Sequence, residues 1–299
     1  MDLVGLSEVA EIAGVSRQAV VNWRARFSDF PPPVAELASG PVWTRDDIDN
    51  WLKTREGQVE KTIDTTIDSG NKETRNLDIK DFDRVEAGSA FEVEIHRAPT
   101  YSVAITASDS VFRDLDINKS GSTLRLRFRP RFPFWHSGRH AAVIGMPDLR
   151  GMHASGATHV AVNGFDTASP LEIQASGASE VRLDGVKAGE TRITASGASH
   201  VTGKLEAGDT RINASGASGI GLTGTGGNIK AEASGASRVE LPGFKSANAD
   251  VKLSGASRAA VALSGRLDLK ASGASRLTYT GEGTLGTVET SGASSIERR

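Results

Sequence analysis

The chain has 299 residues and a formal net charge of −2, from 35 Lys and Arg residues against 37 Asp and Glu residues. Cysteine is absent, which excludes a disulfide framework, a thiolate zinc site and a cysteine nucleophile. No apolar run reaches the roughly 18 residues that a membrane-spanning helix needs. The first residues lack the basic leader and small-residue cleavage site of a signal peptide, so none is expected.

The composition differs between the two ends of the chain. Of 33 glycines, 24 lie in residues 151–299, whereas Trp23, Trp43 and Trp51, three of the four tryptophans, lie within 1–55. One homogeneous core would not separate residue types in this way. Because residues 56–76 are polar and show no apolar period, we expect domains at 1–55 and 77–299 joined by a flexible linker.

The first domain shows helical periodicity. One helix is predicted over 8–13, and a second over 17–27 places Val20 and Trp23 on one apolar face. Two short strands around a turn follow, and a last helix begins at Thr44, which with an acid three residues later resembles a capping box. The sequence therefore predicts a small, mainly helical domain.

The rest of the chain alternates between apolar and polar residues, which is typical of strands with one buried face. From position 151 onward the tripeptide Ser-Gly-Ala occurs eight times at nearly regular intervals, and Ser or Thr follows every copy. The serines and glycines of the eight copies are Ser155, Gly156, Ser176, Gly177, Ser196, Gly197, Ser215, Gly216, Ser234, Gly235, Ser254, Gly255, Ser272, Gly273, Ser291 and Gly292.

These copies align into apolar columns. The residues three before and five after each motif serine are apolar in every copy. Small residues suit a tight corner where neighbouring backbones approach, and the stacked hydroxyls can bond between coils. The sequence therefore predicts a mainly β fold, a parallel β-helix with coils of about 19–20 residues. Strand-twist rules favour a right-handed coil.

The segment 1–55 resembles a known DNA-binding family. The stretches VAEIAGVSRQAVVNW, FPPPV and VWTRDDIDNWL are similar to the winged helix-turn-helix of AlpA-type prophage regulators, excisionases and MerR-like proteins. The resemblance covers residues 3–55. It implies that the second helix enters the major groove with its first residues facing the bases.

On that resemblance, Arg17 can pair with guanine, and Gln18 or Asn22 with adenine. The domain nevertheless has six basic residues against eight acidic ones, so tight binding would need several copies on one DNA. The candidate DNA-binding residues are Ser16, Arg17, Gln18, Val21, Asn22, Arg24, Arg26, Ser39 and Gly40.

Residues 79–299 resemble a second family, the auto-transporter adhesin head domain of GIN type. The similarity lies in FDRVEAGSAFEVEI, in GMPDLRGMHASGATHVAV and in the repeated SGAS motif. It implies a β-helix, and most members of that family are expected to be exported or bound to the cell envelope.

Three successive positions in one outward column of the predicted β-helix are basic. Arg238, Arg258 and Arg276 occupy the same position in successive copies. Since acidic residues lie on nearby strands, a solvated mixed face is the expected role. Contact with an anionic polymer is the alternative.

The leading hypothesis is a cytoplasmic DNA-binding protein, either a transcriptional regulator or a DNA-organising factor, with double-stranded DNA as its partner. Its β-helix would then serve self-assembly into a homo-oligomer or bind a protein partner. The alternative is a structural or adhesin-like β-helix of the cell envelope whose N-terminal domain docks a protein. No nucleophilic or acid–base constellation is apparent, so we expect no enzyme, no cofactor and no metal site.

Overall fold

The computed structural model describes residues 3–13, 20–21, 23–24, 27, 29–37, 40–54, 72–129 and 140–299. The chain divides into two compact units, Met1–Gly70 and Asn71–Arg299. Among the described residues, no helix has both the length and the apolar character needed to cross a membrane.

The described residues of the first unit form a small sheet and two helices with defined ends. Its elements are β1 Leu3–Gly5, α1 Leu6–Ile12, β2 Ala35–Leu37, β3 Gly40–Thr44 and α2 Arg45–Thr54. The strands are antiparallel in the order β1-β3-β2.

Aromatic side chains form the core of the first unit. Trp23, Trp43 and Trp51 are no more than 5% exposed. The Phe30 ring packs against both Trp43 and Trp51, with ring centroids 5.7 and 4.7 Å apart. The indole N–H of Trp43 donates to the carbonyl oxygen of Pro31 at 2.8 Å, which satisfies this polar group of a buried side chain. The tryptophan-rich composition of this region therefore reflects one compact aromatic core.

The structure does not support a winged helix-turn-helix in this unit. Its described part has two helices of defined extent and a three-stranded sheet, and the strand β1 was not predicted, because three residues are too few to show alternation. The segment between the first two predicted helices and most of the predicted second helix, at 14–19, 22 and 25–26, lie outside the described residues. The predicted start of the last helix is confirmed, since the Asp47 N–H donates to Thr44 Oγ1 at 3.2 Å.

The second unit is a β-solenoid, and its described part has one short helix. Its elements are β4 Glu73–Leu77, β5 Arg84–Ala87, β6 Glu92–Arg97, β7 Ser102–Ala107, α3 Asp109–Asp114, β8 Leu115–Ser120, β9 Thr123–Phe128, β10 Ala141–Met146, β11 Gly151–Ala154, β12 His159–Asn163, β13 Leu171–Ala175, β14 Glu180–Lys187, β15 Thr191–Ala195, β16 His200–Glu206, β17 Thr210–Ala214, β18 Gly219–Thr225, β19 Ile229–Ala233, β20 Arg238–Ser246, β21 Ala249–Leu253, β22 Arg258–Leu263, β23 Arg266–Ala271, β24 Arg276–Thr280, β25 Thr284–Thr290 and β26 Ser295–Arg298.

These strands form two long sheets. The twelve-stranded sheet has the order β26-β24-β22-β20-β18-β16-β14-β12-β6-β10-β7-β4, and the eleven-stranded sheet has the order β25-β23-β21-β19-β17-β15-β13-β11-β5-β9-β8. Each Ser-Gly-Ala copy joins a strand of the eleven-stranded sheet to one of the twelve-stranded sheet, and eight copies span seven turns. The prediction of a mainly β, parallel solenoid is confirmed; its right-handed sense stays a prediction.

Equivalent apolar residues stack into ladders inside the solenoid. Ile193 on β15 is the register partner of Ile173 on β13 and of Ile212 on β17, and all three side chains are 0% exposed. Parallel strands lie about 4.8 Å apart, so such residues stay in contact from turn to turn. The ladder is less complete in the last turn, where Val288 is 38% exposed.

The first turns of the solenoid do not follow chain order. The strands β5 and β6 lie between the repeats and the later strands β9 and β10, to which they also pair in parallel. The strands β7, β4 and β8 then continue the two sheets in antiparallel orientation.

The predicted linker over 56–76 ends too late in the sequence, because Glu73–Leu77 forms the strand β4. Residues 55–71 lie outside the described part of the chain.

Each Ser-Gly-Ala corner brings two backbones into direct contact. Gly235 has φ of +71°, and a Cβ added there would lie 2.7 Å from the carbonyl oxygen of Gly216 in the preceding turn. The next residue, Ala236, donates its N–H to that same oxygen at 2.8 Å. Glycine is therefore required at this corner both by its backbone angle and by the close approach.

The Ser or Thr hydroxyl that follows each Ser-Gly-Ala copy stabilises the corner. Ser237 is fully buried, and its hydroxyl lies 2.8 Å from the Ser234 carbonyl oxygen and 3.2 Å from the Ala214 carbonyl oxygen of the preceding turn. Its neighbours Ser199 and Ser218 make the same contact with the preceding turn at 2.9 and 3.0 Å. The hydroxyls thus bond between turns mainly by donating to backbone carbonyl groups.

We expect Ser237→Ala to lower the free energy of unfolding by about 0.5–1.5 kcal/mol, the net worth of a typical hydrogen bond. Ser234→Ala is the matched control, because the same atom is removed from the same corner and no hydrogen bond of its hydroxyl is found within the described residues. Urea unfolding of both variants measures the difference. Equal stabilities would contradict a structural role for the buried hydroxyl.

Candidate functional site

An outward column of the twelve-stranded sheet carries three consecutive arginines. Arg238 on β20 is the register partner of Arg258 on β22, which is in turn the partner of Arg276 on β24. All three are exposed, and their Cα atoms are separated by the spacing of parallel strands, about 4.8 Å per step. We call Arg238, Arg258 and Arg276 the arginine column.

No carboxylate in the described part of the chain forms an ion pair with the arginine column. None of its three guanidinium groups makes an ion pair or a side-chain hydrogen bond there. Like charges that face each other across neighbouring strands are destabilising. The column is therefore an electrostatic cost to the isolated solenoid and a concentrated positive stripe on its surface.

An open cavity of about 500 Å³ lies beside two arginines of this column. Arg258 and Arg276 form part of its lining, and Ala260, Thr278 and Thr280 contribute small side chains. The remaining lining residues are Glu240, Pro242, Ala259, Val261 and Arg299. We call this cavity the arginine trough.

A second cavity, of about 600 Å³, runs along the last residues of β17, β19, β21, β23 and β25 and the motif serines that follow them. Its charged residues neutralise each other between turns, with Lys252 Nζ 3.3 Å from Glu232 Oε1 and Lys270 Nζ 3.1 Å from Glu289 Oε2. Because these charges already have partners, this groove offers a weaker attraction to a charged ligand than the arginine trough does.

A third cavity, of about 390 Å³, contains a strongly held carboxylate. Arg266 donates to Asp268 through Nε and Nη2 at 2.8 Å each, and the Thr287 N–H donates to Asp268 Oδ1 at 2.6 Å. These hydrogen bonds lower the pKa of Asp268 from 3.8 to about 2, and those from Arg266 contribute most. The carboxylate is therefore ionised at neutral pH and serves as an anchor between turns.

The depressed pKa of Asp268 predicts how its contribution depends on pH. The stabilisation by the charged form is present above the ordinary pKa of 3.8 and is lost as the pH falls through about 2. We therefore expect Asp268→Asn to be less stable than the native chain at pH 6, and the difference to shrink toward pH 2. Urea unfolding at both values measures it, and a difference independent of pH would contradict this assignment.

The predicted DNA-binding residues do not form a described site. Ser16, Arg17, Gln18, Asn22, Arg26 and Ser39 lie outside the described residues. Of the others, Val21 is 41% exposed and Gly40 begins β3 with φ of +124°. Arg24 Nη2 lies 2.5 Å from Glu36 Oε1, so its charge is compensated within the unit.

The histidines do not gather into a metal site within the described ranges, where no group of three or more His, Cys, Asp and Glu residues could hold an ion. His159 Nε2 lies 4.0 Å from Glu180 Oε2 on the next strand. His140 is buried, with 3% of its surface exposed. Its ring packs edge-on against Phe91, with centroids 4.3 Å apart, and Nε2 lies 2.8 Å from the Ser89 carbonyl oxygen.

Comparison with known families gives a match over most of the chain. Residues 81–283 match the model of a family described as "Putative auto-transporter adhesin, head GIN domain". No curated protein matches the chain.

Several solved structures share this fold. A "putative adhesin" from Parabacteroides distasonis ATCC 8503 has a TM-score of 0.71 at 16% identity, over 77% of this chain and 98% of that one. A "Putative lipid binding protein" from the same organism has a TM-score of 0.68 at 18% identity, with the same coverage. A "putative adhesin" from Parabacteroides merdae ATCC 43184 has a TM-score of 0.66 at 15% identity, again over 77% and 98%. At these identities the likeness concerns the fold alone.

These findings overturn the leading hypothesis drawn from the sequence. The prediction of a DNA-binding regulator with double-stranded DNA as partner is wrong, since the family that matches most of the chain is one of adhesin heads. Residues 1–55 contain more acidic than basic residues, and the charge of Arg24 is compensated by Glu36. This region is therefore a poor electrostatic match for the negatively charged DNA backbone. The predicted cytoplasmic location is wrong for the same reason, because an adhesin head acts at the cell envelope or outside the cell.

Proposed function

Since the chain belongs to the family described as "Putative auto-transporter adhesin, head GIN domain", we propose that it is an adhesin-type protein of the cell envelope or the extracellular space. Its solenoid presents a rigid face to a macromolecule outside the cytoplasm. The observation that carries this proposal is the family match over 81–283, which coincides with the solenoid.

The construction of the solenoid supports a binding role. Its turns are held by apolar ladders inside and by corner hydrogen bonds, so the outward side chains of neighbouring strands keep fixed spacings. A face ordered before contact loses little conformational entropy on binding. Repeated turns also extend the surface along one axis, which is how solenoid proteins build long binding faces.

We also propose that the chain is not an enzyme. In support, Glu172 and Asp268 are held as charged groups, because hydrogen bonds lower the pKa of each carboxyl group. The largest contribution comes from Arg84 for Glu172 and from Arg266 for Asp268. A carboxylate with a lowered pKa is a poor general acid or base near neutral pH. Self-association of the solenoid stays a prediction.

The location is tested on cells that produce the chain. Intact cells are treated with a protease that cannot enter them, and the chain is followed by immunoblot beside a cytoplasmic marker. We expect the chain to be cleaved, or to be found in the medium, while the marker survives. Protection of the chain until the cells are lysed would overturn the proposed location.

The adhesive role is tested by deleting the gene and restoring it. We expect the deletion to lower the number of cells retained on a surface coated with extracellular matrix, and purified chain added in solution to compete with the cells. Retention that is unchanged by deletion would overturn the proposed function.

A further inference from the structure

We propose that the arginine trough binds a linear acidic polysaccharide that runs along the solenoid axis. This inference rests on the proposed function, since it names the class of partner that the face would hold. Three observations carry it: the arginine column has no ion pair within the described chain, it runs straight across the turns, and small side chains with two hydroxyl groups line the trough.

The charge of the column favours an anionic partner. Arg238, Arg258 and Arg276 stand on consecutive strands without an ion pair in the described part of the chain. Bringing carboxylate or sulfate groups to this column would replace repulsion between like charges with charge-assisted hydrogen bonds, the strong kind that a guanidinium group forms with such oxygens.

The course of the column indicates an extended ligand. From Arg238 to Arg276 it crosses two strand spacings, about 9–10 Å, in a straight line. A single carboxylate or sulfate group carries too little charge to neutralise three guanidinium groups spread along such a line. A chain that carries an acidic group on successive units can neutralise them, and it would lie parallel to the solenoid axis.

The lining of the trough favours a sugar chain over a lipid or a protein. Ala260, Thr278 and Thr280 leave an open channel and provide two hydroxyl groups that can bond to sugar hydroxyls. None of the large exposed apolar side chains of the described chain lies in this lining. An acyl chain or the apolar centre of a protein interface would therefore find no anchor here.

The test measures binding of the full chain to polygalacturonate, which carries carboxylates, to dextran sulfate, which carries sulfates, and to neutral dextran. Isothermal titration calorimetry at low and high salt is the readout. We expect binding to at least one acidic polymer, no binding to dextran, and weakening as salt rises because the contacts are ionic.

The variant Arg258→Gln removes the central charge of the column. We expect it to weaken binding about tenfold, which corresponds to about 1.4 kcal/mol. Arg182→Gln is the matched control, since Arg182 is exposed on the same sheet at β14, four strands or about 19 Å from Arg258. The free Arg258→Gln protein should melt no lower than the native chain, because one repulsive neighbour has been removed.

Failure of both acidic polymers to bind would overturn the inference, as would equal weakening by Arg182→Gln, which indicates attraction by bulk charge only. Binding of the full chain to vesicles of phosphatidylglycerol is measured in addition. Binding to the vesicles that Arg258→Gln abolishes, without binding to the polymers, would assign the trough to lipid headgroups and overturn the inference. These assays use purified protein, so they can fail while cell attachment persists, and they can succeed while the proposed location fails.

Discussion

Gly235→Ala is expected to lower the melting temperature of the solenoid more than Gly164→Ala does. Both glycines have φ of +71°, so both substitutions force a residue with a side chain into the left-handed region, at a cost of about 1–2 kcal/mol. A Cβ at Gly235 would also lie 2.7 Å from the carbonyl oxygen of Gly216, whereas a Cβ at Gly164 would meet no atom within 4 Å. The two variants therefore separate the cost of the backbone angle from the cost of the contact between turns.

The contact at Gly235 should add about 1–3 kcal/mol, the usual cost of overpacking. In a domain of this size each kcal/mol changes the melting temperature by roughly 2–4 °C. We therefore expect Gly235→Ala to melt at least about 2 °C below Gly164→Ala in differential scanning calorimetry. Equal melting temperatures would show that the corner can widen to accept a methyl group, and would contradict the close stacking of the turns.

Phe244→Ala is expected to have the second large effect. The Phe244 side chain on β20 is 0% exposed and lies over Gly226, where an added Cβ would be 2.6 Å from the ring atom Cε1. Removing a buried phenylalanine ring loses its transfer free energy and leaves a cavity, which typically costs about 3–5 kcal/mol. The neighbouring turns cannot close this cavity, because their spacing is set by backbone hydrogen bonds on both sides.

Urea unfolding followed by circular dichroism measures the effect of Phe244→Ala. Leu285→Ala is the control, since Leu285 is also on a solenoid strand but is 48% exposed. We expect the control to lose less than about 1 kcal/mol, as surface substitutions usually do. A loss at Phe244 no larger than at Leu285 would contradict the placement of this ring in the core.

The repeat made most of the solenoid predictable. Because the side-chain period of a strand is two, alignment of the motif serines identified the inward columns, and Ile193, Ile212 and Val201 are fully buried as expected. The corner could be predicted as well, since Gly in eight equivalent positions indicates a backbone conformation that other residues rarely adopt. The arginine column was also visible in the aligned sequence.

Other features depended on contacts between distant residues. The position of β5 and β6 between the repeats and the strands β9 and β10 could not be predicted. These strands pair although they are far apart in the sequence, and no sequence repeat marks the pairing. His140 is buried because Phe91 and Phe128, from two other parts of the chain, pack on its ring. The N-terminal unit was interpreted from a resemblance of local segments, and that led to the wrong function.

The composite character of the chain, with an aromatic N-terminal unit and a parallel β-solenoid of eight repeats, follows from the amino-acid sequence alone. This is possible because apolar periodicity and glycine corners are local properties that repeat along the chain. Which surface charges of the described residues have partners became visible only in the folded chain. Lys252 and Lys270 pair with carboxylates on neighbouring turns, whereas Arg238, Arg258 and Arg276 have one another as register partners and no ion pair within the described chain. Whether a charge is compensated depends on strand register across turns, which is set when the solenoid packs.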